Sequence, residues 1–239
     1  VSKANPCFQP YKNIHQGKSA AVMGCGPTLS RYDGSKNLIH IGCNELIYSP
    51  EYSLDYYFIG DSQVAWPDKN KTFHKDPDTY NAYRANIAKF VRDHPQDACS
   101  VIKKNNGEKV DHAIHYQVGP PGISYGQFQA VRETEFQQDI VENYMYSRIS
   151  ISWEMMQFAL WTGVSKIYLM GQDCSYAKGT VHNPHVRNYG GVPRVGLVRK
   201  WEELKVWISL HYPSVEVMCV NPDAMNHYKE ISIDDIVEN

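Results

Sequence analysis

Apolar residues in this chain gather in short runs, and glycine or polar residues break in after each one. Ser19 to Met23 (SAAVM) reads as a buried strand that stops at Gly24. Leu38 to Cys43 (LIHIGC) predicts a second strand, and Leu54 to Ile59 (LDYYFI) a third that ends at Gly60. Tyr80 to Arg92 predicts a helix with Tyr83, Ile87 and Phe90 on one face. Ala98 to Ile102 and His112 to Gln117 read as further strands, and the glycines and prolines of Gly119 to Gly126 as a loop. Ile151 to Thr162 is apolar nearly all round, the pattern of a helix buried on several sides. Ser150 or Ser152 suits its N-cap, and Gly163 stands where a C′ glycine belongs. Lys166 to Met170 (KIYLM) is a strand. Arg194 to His211 is an amphipathic helix with Leu197, Trp201, Leu204 and Ile208 in one stripe, and Val215 to Val220 (VEVMCV) is the last strand.

Strands that alternate with helices over short connections imply parallel pairing. The predicted fold is therefore α/β: a Rossmann-like open, mostly parallel sheet with helices on both faces. Residues 18–239 read as a single domain, with 1–17 as an N-terminal extension and 174–193 as a lid-like excursion. In such sheets ligands gather beyond the C-terminal ends of the strands. That rule selects Gly24–Leu29, Gly42–Asn44, Gly60–Ser62, Gly171–Tyr176 and Asn221–Pro222 as parts of one site.

Composition narrows the class. The 239 residues are 42% hydrophobic and 21% charged, ordinary values for a folded domain. By surface scaling, roughly 70% of the unfolded surface would be buried in a chain this long. The net charge of −2 argues against nucleic acid as the main partner. No apolar run is long enough to span a bilayer. The polar, proline-broken N-terminus does not read as a signal peptide, and Val1 suggests a start other than the natural initiator. The six cysteines form no CxxC pair, so a zinc ribbon or redox dithiol is not expected. Reduced thiols in a cytoplasmic protein are the expectation, with two buried disulfides as the other reading.

Four constellations could carry chemistry. In Gly24-Cys25-Gly26-Pro27-Thr28 the two glycines would let backbone approach a phosphate, though the same loop fits a plain βα turn. Asn44, just past the second strand, can donate and accept together, as a ribose, phosphate or sugar requires; Asp61 and Ser62 after the third strand are similar. After Lys166–Met170, the stretch from Gly171 supplies Asp173, Tyr176 and His182. His182 is the leading general-base candidate, and His185 competes with it. Residues 178–205 carry six basic and two acidic side chains, which suits an anionic ligand or a lid that orders on it; a solvated basic surface is the plainer alternative. Metal ligation is weakly supported. Asp76-Pro77-Asp78 matches a DxD pattern away from any clear strand end, and His182 with His185 makes only half a zinc site.

The pieces Val22-Met23-Gly24-Cys25-Gly26-Pro27-Thr28-Leu29, Gly42-Cys43-Asn44, Arg148-Ile149-Ser150 with the helix to Gly163, and Lys166 to Asp173 together resemble a known group. They are similar to the bacterial sialyltransferases that decorate lipooligosaccharide. They also resemble the related domain of the motility accessory factors of flagellin glycosylation, a group extending to archaeal 6-hydroxymethylpterin diphosphokinases. The spacing Gly171-Gln172-Asp173…Tyr176…Gly179…His182 is closer to the motility-factor group, and the resemblance does not place the segment 64–147.

The resemblance implies that Gly24, Gly26, Asn44, Ser150 and Ser152 hold a CMP-linked sugar; the strand-end rule adds Cys25, Pro27, Thr28, Asp61, Ser62, Gly171 and Asp173 as candidates for the same site. Tyr176 would contact the leaving phosphate, and His182 or His185 would take the acceptor proton, with no metal required. Cys25 stands where those sialyltransferases carry Asn, and Ile151-Ser152 where Ser-Gly is usual. The reading that follows is a cytoplasmic, metal-independent, inverting glycosyltransferase. Its partners would be a nucleotide-sugar donor and a glycan or glycoprotein acceptor, with homo-oligomerisation or a peripheral position at the inner membrane face as further expectations. The alternatives are a Mg²⁺-dependent diphosphokinase using Asp61 and Asp173, and a non-catalytic nucleotide-binding module.

Overall fold

The computed structural model describes residues 4–44, 46, 52–59, 85, 100–103, 114–116, 136–146, 150–174, 195–220, 222, 225 and 227–237. Eight strands form one sheet: β1 (Ser19–Met23), β2 (Ile39–Cys43), β3 (Tyr56–Ile59), β4 (Ser100–Lys103), β5 (Ile114–Tyr116), β6 (Lys166–Met170), β7 (Glu216–Val220) and β8 (Lys229–Ile231). Their order is β5-β4-β3-β2-β1-β6-β7-β8, and every adjacent pair is parallel. The Rossmann-like reading thus holds. The chain winds outward from β1 in one direction through β5, then returns to the other side of β1 with β6. The topological switch point therefore lies between β1 and β6, where Met23 is in register with Met170.

The central strands are buried on both faces, which is why they read as unbroken apolar runs. Alternate residues serve alternate sides. Ala20, Val22, Tyr56, Phe58, Ile167 and Leu169 join one core, while Ala21, Met23, Tyr57, Tyr168 and Met170 join the other. Helix α1 (Ser152–Trp161) lies in the first core with all ten residues buried. Helix α2 (Val195–His211) adds Leu197, Trp201, Leu204 and Ile208 to the same core, as its stripe predicts. The opposite face is covered, among the described residues, by Leu29 and Tyr32 around a 3-10 turn (Pro27–Arg31), by Leu46 and Leu54, and by Ile236 near the C-terminal end of the chain. The helix expected over 80–92 and the excursion beyond Cys174 lie outside the described residues, except that Ala85 is helical.

Three features depart from local pattern. The segment expected as an N-terminal extension packs into the first core through Phe8 and Tyr11, and Trp161 Nε1 donates to the Phe8 carbonyl at 2.8 Å. The N-cap of α1 is Ile151, which makes no side-chain cap bond. The expected serine acts one residue earlier, where Ser150 Oγ accepts the Ser152 N–H at 3.2 Å. Strand β8 has the sequence Lys-Glu-Ile and an exposed edge pattern, so no apolar run announces it. Gly163 does end α1, at φ +84°.

Candidate functional site at the β1–β6 switch point

The C-terminal ends of β1 and β6 do not simply face each other across a crevice. They interlock. Past the strands, Gly24 N–H donates to the Met170 carbonyl and Gly26 N–H to the Gly171 carbonyl, both at 2.8 Å. A Cβ on Gly24 would stand 2.5 Å from the Gly171 oxygen, and one on Gly171 would stand 2.5 Å from the Gly24 oxygen. Gly171 also has φ +61°, a conformation that favours glycine. A Cβ on Gly26 would collide with the Asp173 carboxylate. The glycines are thus required by close approach of one loop to the other.

Asp173 is 4% exposed, and its carboxylate accepts from Thr28 twice. The Thr28 backbone N–H donates to Oδ2 at 3.0 Å, and the Thr28 hydroxyl donates to Oδ1. Pro27 opens the 3-10 turn that carries Thr28. Sequence reasoning assigned the amides of this loop to a phosphate. In the structure the amides of Gly24, Gly26 and Thr28 serve the β6 loop instead, because the two strand ends pack too closely to leave them facing outward.

The start of α1 joins the same corner. Ser150 Oγ donates to Ser152 Oγ at 2.9 Å, and Ser152 Oγ donates to Gln172 Oε1 at 2.7 Å. Gln172 Nε2 reaches the Val22 carbonyl at 3.5 Å. Gln172 therefore lies at the junction of β1, β6 and α1. It sits directly beneath Gly24, whose absent Cβ would come within 2.9 Å of its amide. Sequence reading passed over Gln172, and the only signal for it was its place between Gly171 and Asp173.

Asn44 completes the rim at the end of β2. It leaves the strand at φ +49°, and its carbonyl accepts the Tyr57 hydroxyl at 2.7 Å. Its side-chain Oδ1 is buried without a hydrogen-bond partner. Such an acceptor costs about 1–3 kcal/mol while unpaired. Between Asn44 and the glycine loop, Cys25 Sγ donates to the Cys43 carbonyl at 3.4 Å. Cys43, Cys174 and Cys219 are free thiols. Burial pushes Cys174 and Cys219 up to about 12, with Asp173 adding to both, so neither is a nucleophile near neutral pH.

The structure brings together Gly24, Cys25, Gly26, Pro27, Thr28, Gly171 and Asp173, with Ser150 and Ser152 joined through Gln172 and with Asn44 reached through the Cys25–Cys43 contact. Asp61, Ser62, Tyr176, His182 and His185 lie outside the described residues, as does the Asp76-Pro77-Asp78 pattern. Among the described residues, no group of three or more His, Cys, Asp or Glu side chains is arranged to hold a metal ion. No described helix is long and apolar enough to cross a membrane. From the basic run, Lys200 stands over the Tyr146 ring at 4.8 Å and pairs with Glu203, which Arg199 also meets at 3.4 Å. One carboxylate within α2 thus serves both cations. A groove of about 430 Å³ lined by Lys166, Tyr168, Glu216, Lys229, Asp235 and Val237 lies toward the strand starts, at the other end of the sheet.

A second glutamine also escaped sequence reading. Gln157, 1% exposed in α1, accepts the N–H groups of Gln137 and Tyr146 at 3.0 Å each and donates to the Tyr146 and Trp153 carbonyls at 2.9 Å each. It pins the segment 136–146 to the helix.

No protein-family model matches the sequence, and no curated protein matches it. Among solved structures, the fold is similar to that of a Maf glycosyltransferase from Magnetospirillum magneticum AMB-1, with a TM-score of 0.52 and 13% identity. The alignment covers 98% of this chain and 38% of that one, so this chain spans well under half the length of the protein it resembles. At this identity the likeness establishes a shared α/β fold.

Proposed function

We propose that this chain is a glycosyltransferase unit that uses an activated sugar nucleotide, of the CMP-sialic acid type, and transfers the sugar to a glycan hydroxyl without a metal ion. The observation that carries this reading is the convergence, at the β1–β6 switch point, of segments far apart in sequence, beside an unpaired acceptor on Asn44. The fold likeness to a protein described as a glycosyltransferase supports the reaction class.

In this reading the acceptor hydroxyl attacks the anomeric carbon in one inverting displacement. The new C–O bond forms as the bond to the nucleotide phosphate breaks, and the phosphate leaves with the bonding electrons. His182 takes the acceptor proton as general base, with His185 as the competing candidate. Tyr176 and the cations of the segment after Asp173 stabilise the leaving phosphate, and donors so placed are typically worth about 3 kcal/mol each. The engagement of the Gly24, Gly26 and Thr28 amides by β6 acceptors moves that task away from the glycine loop and onto this segment.

A thermal-shift panel of CMP, CDP, UDP, GDP and ATP, with and without Mg²⁺, tests the donor class. Saturation at a hundredfold excess over Kd raises stability by about 2.7 kcal/mol. A response to CMP without Mg²⁺ is the expected result, and a response to ATP only with Mg²⁺ favours the diphosphokinase instead. His182→Ala is expected to abolish transfer while CMP still binds. Full activity in that variant removes His182 from the mechanism.

A further inference from the structure

Tyr32 and His40 are 3% and 5% exposed, and the Tyr32 hydroxyl lies 2.6 Å from His40 Nε2. The Ser53 carbonyl accepts from the same ring, so the proton of the neutral imidazole sits on Nδ1 and Nε2 can only accept. The Tyr32 hydroxyl hydrogen is then committed to His40. The Lys36 carbonyl lies 3.5 Å from the same hydroxyl, too far for a good O–H···O bond. A proton on His40 reverses this arrangement. Both ring nitrogens then carry hydrogen, Nε2 becomes a donor, and the Tyr32 oxygen must accept. The displaced hydroxyl hydrogen turns to the Lys36 carbonyl. A bond of ordinary length there, about 2.7–2.8 Å, draws the tyrosine ring from its seat.

Tyr32 is joined to the glycine loop by its backbone. Its N–H closes the turn Pro27–Arg31 on the Leu29 carbonyl at 2.9 Å, and the Tyr52 hydroxyl meets that carbonyl at 3.2 Å. The Tyr32 and Tyr52 rings stack at 6.2 Å, 8° from parallel. Leu29 N–H donates to the Gly26 carbonyl at 3.1 Å, and Thr28, between them, donates twice to Asp173. Movement of Tyr32 therefore reaches Thr28 through one short turn. Among the described residues, the charged group that bears on His40 is Asp55. Its carboxylate accepts the His40 backbone N–H at 2.8 Å, and its charge favours the protonated ring. Tyr32 is the other titratable group against the ring, with Tyr52 behind it.

We propose that the Tyr32–His40 pair is a proton-sensitive strut behind the glycine loop: a proton on His40 reverses their hydrogen bond, pulls Tyr32 toward the Lys36 carbonyl and weakens the hold of Thr28 on Asp173. The loop is closed while His40 is neutral. It loosens as pH falls below the usual imidazole value of 6.5 and through the lower folded value, which burial chiefly sets. The inference concerns the loop itself and is independent of which ligand the rim takes.

The test is a nuclear magnetic resonance titration of the isotope-labelled chain without ligand, from about pH 8 to about pH 5. The Thr28 and Leu29 amide signals are expected to shift with the same midpoint as the His40 ring signal. Protection of the Thr28 amide against exchange, corrected for the intrinsic effect of pH, is expected to fall about tenfold, the effect of one net hydrogen bond. In Tyr32→Phe the His40 ring should still titrate while the Thr28 amide holds still. In His40→Gln the Thr28 response should disappear. Tyr32→Phe keeps the ring and its stacking, so the comparison does not depend on whether His40→Gln folds. A purely structural role for the pair would lower the melting temperature of both variants and leave the Thr28 signal of the intact chain independent of pH. A Thr28 amide that does not follow His40 in the intact chain, or that follows it equally in Tyr32→Phe, overturns the inference. So does a His40 ring that stays neutral throughout the range.

Discussion

Thr28 is bound twice to Asp173, through its backbone N–H at 3.0 Å and through its hydroxyl, across a sequence separation of 145 residues. The contact ties the turn after β1 to the turn after β6 and holds the glycine loop closed. Hydrogen bonds to a carboxylate are the stronger kind. Thr28→Val keeps the shape and removes the hydroxyl, which leaves Asp173 Oδ1 without that donor. The expected loss is about 1–3 kcal/mol, and Thr28→Ser should keep most of the stability. Urea denaturation of the three proteins checks this, and a Val variant as stable as the parent removes the latch from the account.

Gly24 and Gly26 have a steric role that alanine cannot fill. A Cβ at Gly24 meets the Gly171 oxygen at 2.5 Å, and one at Gly26 meets the Asp173 carboxylate. Either substitution must part the two loops, and each is expected to destabilise by more than about 2 kcal/mol. Gly196 in α2 is the control, because nothing lies within 4 Å of its Cβ position. Gly196→Ala should stabilise by about 0.5 kcal/mol through the unfolded chain. Thermal melts of the three variants should rank with Gly196→Ala highest.

Gln157 makes four hydrogen bonds, three of them to the segment 136–146. Gln157→Leu leaves the Gln137 and Tyr146 amides without that acceptor and should cost about 1–3 kcal/mol. The loss should be local first. Amide exchange at Gln137 and Tyr146 is expected to speed up markedly, and exchange in β1 and β6 to change much less. Unchanged protection at both amides contradicts the pinning role.

Stability should fall on mild acidification. His15, His40 and His227 are all held below the usual imidazole value of 6.5, in each case chiefly by burial, with Asp55 opposing the shift at His40 and His15 and Glu202 opposing it at His227. An imidazole lowered in the folded state is protonated first in the unfolded chain. Its contribution is therefore complete above 6.5 and is lost as pH falls from there toward the folded values. His40 is 5% exposed and shares a 2.6 Å hydrogen bond with the Tyr32 hydroxyl, so it should matter most. The urea midpoint is expected to be lower at pH 5.5 than at pH 7.5, and His40→Gln should flatten part of that slope. A midpoint that rises on acidification contradicts the sign.

The elements around the site were legible for a definite reason. Strands β1 and β6 are sealed on both faces, so Ser19–Met23 and Lys166–Met170 read as continuous runs bounded by glycine. Their sequence order and the alternation with α1 and α2 were enough to place Gly24, Asn44 and Gly171 at strand exits. Strand β8 was not legible, because Lys229–Ile231 has two exposed residues and only one partly buried one.

The sequence by itself determined the parallel α/β class, the buried faces of α1 and α2, and the places where turns must follow strands, since burial repeats with the backbone period and leaves a local trace. The tertiary structure decided what the turn residues do. Whether Gly26 admits a ligand or a neighbouring loop, whether Thr28 faces outward or toward Asp173, and which way the Ser150–Ser152–Gln172 chain points all depend on the angle and spacing at which distant strand ends meet. Hydrogen-bond partners across 20 or 145 residues have no periodicity to betray them, and only the packed sheet selects them.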